Sequence, residues 1–356
     1  MKARLHNFSS GPAVLPDVVL EAAQRALWDL DGTGIGILEH SHRGEAFGEV
    51  LRRAEARVRA VGDVPDDYAV LFLSSGATTQ FSMVPENFLG GGVADYCHTG
   101  VWSDKAMAGA RRHGQVHVAC SSEADTFAQI PRVQTWSPGA RYVHFTSNNT
   151  IYGTQWGTEP AAPEGVPLIC DASSDLFSRP IDVRKYALIY ASAQKNLGPP
   201  GVTLVIGRRD FLETGARELP PLSQYRTYVR DRSMYNTPNT FGVFVLGEVM
   251  QWILDQGGLV ELERRNRDKA ALLYDFLDQS AVWRGHARAD SRSLMNVTFR
   301  GPAEHEARLL ELAAERGLSG LAGHRSVGGL RASIYNAFPR RGVERLVETL
   351  GDVERG

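Results

Sequence analysis

Short apolar runs alternate with longer amphipathic stretches from residue 68 onward. Strands are predicted at 69–73, 93–97, 115–119, 141–145, 166–170, 187–191 and 202–206. An alternation of such runs with helical patterns is typical of a mainly parallel sheet that helices cover on both faces. The last run is rich in β-branched residues and is expected to return antiparallel.

The last quarter of the chain has a different texture and predicts a smaller α+β domain. A charged helix at 260–279 is expected to connect the two parts. Beyond it, the pattern predicts strands at 295–299 and 330–334 and helices at 303–316 and 343–353. We therefore predict a large domain over residues 16–258 and a small domain formed by residues 1–15 and 259–356.

Residues 223–258, which precede the connecting helix, are predicted to contain a polar stretch and one helix. The polar run 223–236 is expected to be a long surface excursion. Asn239 or Thr240 is the expected N-cap of a helix at 241–254, and the glycine pair at 257–258 is expected to end that helix.

Composition and charge exclude several classes of partner. The 356 residues are 43% hydrophobic and 22% charged, as is usual for a globular protein. The 39 basic and 41 acidic residues give a net charge of -2, so neither nucleic acid nor an anionic membrane is an expected partner. The first residues lack the apolar core of a signal peptide, and Glu248 interrupts the most apolar segment, so a cytoplasmic protein is expected. Three cysteines without CxxC spacing, Cys97, Cys120 and Cys170, indicate neither a disulfide framework nor a metal site.

One lysine and one aspartate stand at the ends of predicted strands. Lys195 follows the run 187–191 in a loop whose glycines and prolines at 198–201 permit close approach and add stiffness. Asp171 ends the preceding run. If these two strands are parallel neighbours, the acid and the amine both emerge at the carboxyl edge of the sheet, where ligands of open α/β folds bind. Taken alone, the lysine could equally be incidental to a turn.

Three further features fit the same edge. The small-residue turn at 74–79 leads into a helix and exposes backbone N–H groups that suit a phosphate. Trp102 stands at the mouth of another helix, and the loop 146–150 offers hydroxyls and amides. A lysine, an aspartate, an indole and a phosphate turn together fit pyridoxal 5'-phosphate, with the lysine as Schiff-base amine and the carboxylate on the pyridine nitrogen.

The chain also resembles the phosphoserine aminotransferase family of fold-type I pyridoxal-phosphate enzymes (class V) over nearly its whole length. The motifs that carry the resemblance are Asn7-Phe8-Ser9-Ser10-Gly11-Pro12, Ser41-His42-Arg43-Gly44, Ser192-Ala193-Gln194-Lys195-Asn196, Gly323-His324-Arg325 and Arg331-Ala332-Ser333-Ile334-Tyr335-Asn336. The resemblance implies an α/β fold with a seven-stranded, mainly parallel sheet in the large domain and a smaller α+β domain at the C-terminal end.

The resemblance implies the cofactor site as well. One pyridoxal 5'-phosphate per subunit is expected, with Lys195, Asp171 and Trp102 as the catalytic group. The cofactor-binding residues that it implies are Ala77, Thr78, Trp102, Thr150, Asp171, Gln194 and Lys195, with Asn236 and Thr237 reaching the partner's site in a homodimer. Thr78 departs from relatives that carry arginine there, which leaves phosphate binding to backbone amides and hydroxyls.

The implied reaction is a ping-pong amino transfer from L-glutamate to 3-phosphohydroxypyruvate, in serine biosynthesis and, with 4-phosphohydroxythreonine, in pyridoxine biosynthesis. Arg331 is assigned to the substrate α-carboxylate, because a guanidinium fork matches it. The residues assigned to the rest of the substrate are Ser10, His42, Arg43, His324 and Arg325. For Arg331 alone, an internal carboxylate partner is the competing explanation, and for the loop at 40–44 it is a solvated basic turn.

Two other enzyme classes and one binding class remain as alternatives. Another fold-type I enzyme, such as a small-amino-acid aminotransferase or a cysteine desulfurase, would share the cofactor chemistry. A desulfurase needs a mobile cysteine, whereas the three cysteines here lie in predicted strands. A non-catalytic α/β protein that only holds an anion is the third alternative.

Overall fold

The computed structural model describes residues 4–356. Its α-helices are α1 (Asp17–Trp28), α2 (Glu45–Gly62), α3 (Gln80–Phe88), α4 (Val101–Ala110), α5 (Arg209–Glu213), α6 (Tyr225–Arg230), α7 (Thr240–Asp255), α8 (Gly258–Gln279), α9 (Ala303–Glu315) and α10 (Arg340–Arg355). Its strands are β1 (His6–Asn7), β2 (Tyr68–Leu73), β3 (Val93–His98), β4 (Gln115–Ser121), β5 (Val143–Thr146), β6 (Asn148–Asn149), β7 (Thr154–Gln155), β8 (Leu168–Asp171), β9 (Leu188–Ser192), β10 (Thr203–Arg208), β11 (Arg284–Gly285), β12 (Asn296–Arg300), β13 (Leu318–Ser319) and β14 (Leu330–Ser333).

The large sheet has seven strands in the order β2-β10-β9-β8-β5-β3-β4. Only β10 runs against its neighbours, β2 and β9, and the remaining pairs are parallel. This confirms the predicted sheet, including the antiparallel return of the seventh run. β8 and β9 are parallel neighbours with Asp171 opposite Tyr190, so the condition set for Asp171 and Lys195 is met.

The sheet is covered on both faces, which explains why its strands are apolar without alternation. Alternate residues of β9 enter different clusters, with Ile189 and Ala191 on the side of α2 and α7. Leu188 and Tyr190 enter the cluster on the side of α3 and α4. This two-residue period follows from the pleat of the strand.

A third apolar cluster belongs to the C-terminal part of the chain. It contains buried residues of α8, α9 and α10, of the antiparallel sheet β11-β12-β14, and Phe8 from the N-terminal arm. The arm joins this part through β1, which pairs parallel with β13. The small domain and its boundaries stay predictions, and residues 1–3 of the range lie outside the described residues.

The stretch 223–236 differs from expectation. It contains α6, in which Tyr225 is buried and its hydroxyl donates to Oε1 of Gln80 at 2.6 Å. The surface excursion was therefore wrong for this helix, because two tyrosines three residues apart, Tyr225 and Tyr228, pack one face of it against the core.

The two ends of α7 are as predicted. Asn239 caps it by accepting from the Gly242 amide at 2.9 Å, and Gly257 and Gly258 follow it with φ of 96° and 75°. None of the helices described in residues 4–356 combines the length and the apolarity needed to cross a membrane.

Candidate active site

A cavity of about 210 Å³ opens at the carboxyl edge of the large sheet, where β5, β8 and β9 end. The residues lining it are Ser10, Gly11, Gly76, Ala77, Thr78, Phe81, Trp102, Thr146, Asn148, Thr150, Asp171, Ser173, Ser174, Ser192, Gln194 and Lys195. The structure thus brings together most of the predicted cofactor residues, and Ser10 from the predicted substrate residues, around one space.

Backbone hydrogen bonds hold the loop after β9 on both sides of Lys195. The Ala193 amide donates to the carbonyl of Val202 at 2.9 Å, and the Gly198 amide donates to the carbonyl of Ala193 at 2.8 Å. A Cβ on Gly198 would lie 3.3 Å from Cα of Leu246 in α7. The glycine therefore serves a close contact between the loop and a helix, which holds the lysine in place.

The amine of Lys195 lies beside the indole of Trp102 and near several charged groups. Its Nζ is 5.6 Å from the centroid of the Trp102 ring. Burial lowers the pKa of Lys195, the carboxylates of Asp171 and Asp175 act in the opposite direction, and Arg331 lowers the pKa further. A lowered pKa increases the neutral fraction of the amine, which is the nucleophilic form.

Asp171 is the last residue of β8 and is buried. Burial raises its pKa, while hydrogen bonding from Ser173 and the charge of Lys195 lower it. The Ser173 amide donates to Oδ1 at 3.0 Å. Within residues 4–356 no cationic side chain comes within 4.0 Å of its carboxylate. The carboxylate therefore keeps acceptor capacity on the cavity side.

The small-residue turn forms a short 3-10 helix, Ala77–Thr79, that runs directly into α3. The Ala77 amide points at Oγ of Ser192 at 3.4 Å, and Ser192 in turn donates to Oε1 of Gln194. Backbone amides at the start of a helix attract an anion without a basic side chain. The turn is thus suited to a phosphate at this end of the cavity.

Arg331 approaches the cavity from the small domain, on β14. Its Nη1 donates to the carbonyl of Thr150 at 2.9 Å, and the hydroxyl of Thr150 accepts from Nε1 of Trp102 at 3.1 Å. Within residues 4–356 its Nε has no hydrogen-bond partner and no carboxylate pairs with it. An internal carboxylate thus does not answer this buried guanidinium, which favours a carboxylate of a ligand.

Three cationic side chains lie near enough to His324 to act on its charge. The pKa of His324 is lowered by burial and by the neighbouring charges of Arg331, Arg325 and Lys105. His324 is partly exposed and Arg325 is exposed. Because the lowered pKa disfavours the charged imidazole, the positive charge of this region comes from Arg331, Arg325 and Lys105.

Seven predicted residues do not line the cavity of their own chain: His42, Arg43, Asn236, Thr237, His324, Arg325 and Arg331. His42 accepts from Nε of Arg43 at 3.3 Å in an exposed loop, and neither residue lines the cavity. Asn236 and Thr237 are exposed just before α7. The roles of these residues stay predictions, and those of Asn236 and Thr237 require a second subunit.

Several cavity residues were not predicted individually. Ser173 and Ser174 follow β8, Thr146 ends β5, and Asn148 begins the short strand β6. Thr146 Oγ1 is buried without a partner among the described residues. Their common signal is a small polar residue directly after an apolar strand, which is the position where parallel strands meet a ligand.

The cysteines lie away from this chemistry. Cys97, Cys120 and Cys170 are buried in β3, β4 and β8. Burial raises the pKa of Cys170 well above its usual value. A buried thiol in a strand is not the mobile nucleophile that a desulfurase needs.

Comparison with known proteins extends over the whole chain. Residues 5–346 match the family described as aminotransferase class-V. The phosphoserine aminotransferase of Herpetosiphon aurantiacus is 50% identical over 348 residues, covering 96% of each chain. That of Desulfosudis oleivorans is 49% identical over 359 residues, covering 100% of this chain and 99% of the other.

The fold of the chain is also similar to those of solved structures. The phosphoserine aminotransferase from Bacillus circulans subsp. alkalophilus superposes with a TM-score of 0.96 at 47% identity, covering 99% of each chain. The phosphoserine aminotransferase from Trichomonas vaginalis with bound PLP has a TM-score of 0.93 at 34% identity, covering 98% of this chain and 100% of that chain. The predicted fold class is therefore confirmed.

Proposed function

The chain belongs to the aminotransferase class-V family, and we propose that it transfers the amino group of L-glutamate to 3-phosphohydroxypyruvate, giving O-phospho-L-serine and 2-oxoglutarate. The observation that carries the proposal is one cavity lined by Lys195 and Asp171, beside which Arg331 donates to the carbonyl of the lining residue Thr150 and has no carboxylate partner among the described residues. The names of the relatives supply the substrates.

The residues of the cavity fit pyridoxal 5'-phosphate. When bound, this cofactor supplies an electron sink for the bond changes at the substrate Cα. Lys195 would attach it, and Asp171 would hold a proton at the pyridine nitrogen. Trp102 offers a flat face for the ring, and the turn containing Ala77 and Thr78 offers amides for the phosphate.

Further cavity residues complete this fit. Thr150 and Gln194 provide polar contacts at the edge of the cavity. The buried Thr146 hydroxyl has no partner in the described chain, which indicates that a polar ligand atom belongs beside it.

Lys195 would also move protons. With a pKa lowered by burial, its free amine would be able to accept and return a proton at the substrate Cα. Asp175 lies behind it, where its carboxylate accepts from Ser147 and from Nε2 of Gln155. This carboxylate limits how far the pKa of Lys195 falls.

Substrate binding divides between two groups. Arg331 would hold the α-carboxylate, which is common to every substrate of the ping-pong cycle. His42, Arg43, His324 and Arg325 would hold either the side-chain carboxylate of glutamate or the phosphate. Each would thereby serve both half-reactions.

The proposed assembly is a homodimer in which Asn236 and Thr237 complete the neighbouring site. Both residues are exposed and lie outside the cavity of their own chain. Trp28 and Leu38 are large apolar residues that are 84% and 63% exposed. Exposure of this kind is typical of a surface that another subunit covers. A cytoplasmic location and use of 4-phosphohydroxythreonine also stay predictions.

A substrate panel tests the activity. The cofactor-loaded protein is supplied with glutamate and with phosphorylated or unphosphorylated oxo acids, and 2-oxoglutarate formation is measured. We expect turnover with 3-phosphohydroxypyruvate to exceed turnover with hydroxypyruvate by at least about 100-fold, because a dianion engages charged hydrogen bonds that the hydroxyl lacks. Equal use of both acids would indicate a small-amino-acid aminotransferase. Visible absorbance that borohydride bleaches is expected of an enzyme with the cofactor attached to a lysine. If the protein shows no such absorbance, the non-catalytic alternative is indicated.

A further inference from the structure

Lys269 is an unusual lysine in the middle of α8. Its side chain is buried, with 3% of the residue exposed. Its ammonium donates to four carbonyl oxygens, those of Ile334, Tyr335, Asn336 and Phe338, at 3.1, 2.7, 3.4 and 3.1 Å. Within residues 4–356 no carboxylate lies within 4.0 Å of it. Carbonyl dipoles alone therefore compensate its charge.

Burying such a charge is costly, which makes the arrangement informative. An ammonium removed from water costs several kcal/mol unless hydrogen bonds replace its hydration, and burial lowers the pKa of Lys269 to about 7. An apolar side chain at this position would avoid the cost. The lysine instead binds the turn formed by residues 334–338, which contains all four of its acceptors.

The turn 334–338 begins directly after β14, the strand that carries Arg331. Tyr335 donates through its hydroxyl to the carbonyl of Ser10, a residue that lines the cavity, at 2.8 Å. The Asn336 amide donates at 3.1 Å to Oδ1 of Asn196, the neighbour of Lys195. The turn thus touches the small-domain arginine strand, the N-terminal arm and the lysine loop at once.

A second residue of α8 supports the same turn. Nδ2 of Asn266, one helical turn before Lys269, donates to Oδ1 of Asn336 at 2.8 Å and to the carbonyl of Ser178 at 3.0 Å. Asn336 donates through Nδ2 to the carbonyl of Phe177 at 2.9 Å. These bonds join α8 and the turn to the segment that follows β8, on which Asp171 stands.

We propose that Lys269 is a positioning residue for substrate binding, which sets Arg331 against Lys195 by fixing the turn 334–338 between them. The proposal rests on the proposed function, since Arg331 acts there on the substrate α-carboxylate. Lys269 itself touches neither the cavity nor the substrate. Its effect is on the distance between the guanidinium and the reacting amine, to which binding and orientation are sensitive.

The test is a double-mutant cycle with the cofactor-loaded enzyme. Lys269→Met keeps the length and removes the donors, and we expect it to raise KM for glutamate about tenfold while the visible absorbance of the bound cofactor is retained. In an Arg331→Ala background the same change is expected to alter KM by less than about twofold, because the residue through which it acts is gone. A merely structural role would lower the amount of folded enzyme or kcat and leave KM unchanged.

The matched control is Lys185→Met, because Lys185 is an exposed lysine paired with Glu159 at the opposite edge of the sheet. It should leave KM unchanged. An unchanged KM in Lys269→Met, or an equal rise in both backgrounds, would overturn the proposal. If Lys269→Met does not fold, Lys269→Gln, which keeps a shorter amide donor, enters the same cycle, and additivity there is equally decisive. If the wild-type enzyme itself shows no activity in the substrate panel, the proposed function is rejected instead.

Discussion

Asp171 shows how a single residue is placed for chemistry at a cost to stability. Burial raises the pKa of this carboxyl despite the opposing effects of Ser173 and Lys195. A raised carboxyl pKa means that the folded chain binds the proton more readily than the unfolded chain does. The free energy of unfolding therefore falls as pH rises from about 3.9, the usual carboxyl value, to the folded pKa, and the penalty is complete above it.

Asp171→Asn is predicted to stabilise the cofactor-free protein at neutral pH and to impair turnover. The amide keeps the shape and removes the buried charge, so the unfolding midpoint in urea should rise at pH 7 to 8. The gain should shrink as pH falls toward 4, where the wild-type carboxyl is protonated. Turnover should drop by about 100-fold, since a preorganised charge opposite the cofactor is lost. Urea unfolding at several pH values and a rate assay measure both effects.

The control for this prediction is Asp66→Asn, at an exposed carboxylate. It should change neither the unfolding midpoint nor turnover. A midpoint of Asp171→Asn that is lower than wild type at every pH would show that the carboxylate contributes net stability through Lys195, against the direction derived above.

Arg331 and Arg325 are predicted to differ in the substrates they serve. Arg331→Ala should raise KM for every substrate, because all carry the α-carboxylate, by about 100-fold or roughly 3 kcal/mol for a charged hydrogen-bonded pair. Arg325→Ala, at an exposed residue, should raise KM for phosphorylated substrates more than KM for alanine-like ones. Steady-state kinetics with both classes measure this. Equal factors in the two variants for both classes would refute the division of roles.

At the scale of single elements, α7 depends on a cap that the sequence predicted. Asn239 accepts from the Gly242 amide, which satisfies one of the unpaired N–H groups at the start of the helix. Asn239→Ala is predicted to lower the free energy of unfolding by about 1 kcal/mol. The matched control is Thr240→Ala, at the first residue of the helix, which should cost less. Urea unfolding of the two variants decides the matter, and equal losses would contradict the cap.

How far elements were predictable depended on whether their signal was local. The strands β8 and β9 were visible as apolar runs, and the rule that ligands bind at the carboxyl ends of parallel strands placed Asp171 and Lys195 together. The burial of Tyr225 in α6 was not visible, because its partner Gln80 lies 145 residues away. A polar composition conceals such a contact until the sheet brings both segments together.

The helix α8 is a case where a signal existed and was missed. Its many charges suggested a connector exposed on most of its surface. Yet Leu262, Asn266, Lys269 and Leu273 follow the three- and four-residue spacing of one buried helix face. A lysine and an asparagine within an apolar stripe indicate buried polar contacts rather than solvent. Which contacts these are could not be predicted, since the acceptors belong to a turn more than 60 residues away.

At the scale of the whole molecule, the site gathers residues from distant parts of the chain. Ser10 of the N-terminal arm and Lys195 of the loop after β9 line the cavity, and Arg331 of β14 donates to the carbonyl of the lining residue Thr150. Asn236 and Thr237 lie outside this set within one chain. Their proposed role therefore depends on a symmetric pair of subunits, in which the same surface contributes to both sites.

Subunit mixing is predicted to restore activity if the sites are shared. Lys195→Ala removes the reacting amine, and the double variant Asn236→Ala with Thr237→Ala removes the groups lent to the neighbour. In a mixed dimer, one site receives Lys195 from the second variant and intact Asn236 and Thr237 from the first. After the two inactive proteins are unfolded together and refolded, statistical pairing should yield about a quarter of wild-type activity per chain. Refolding each variant alone is the control and should yield none. If the mixture stays inactive while wild type refolds, Asn236 and Thr237 act within their own chain or not at all.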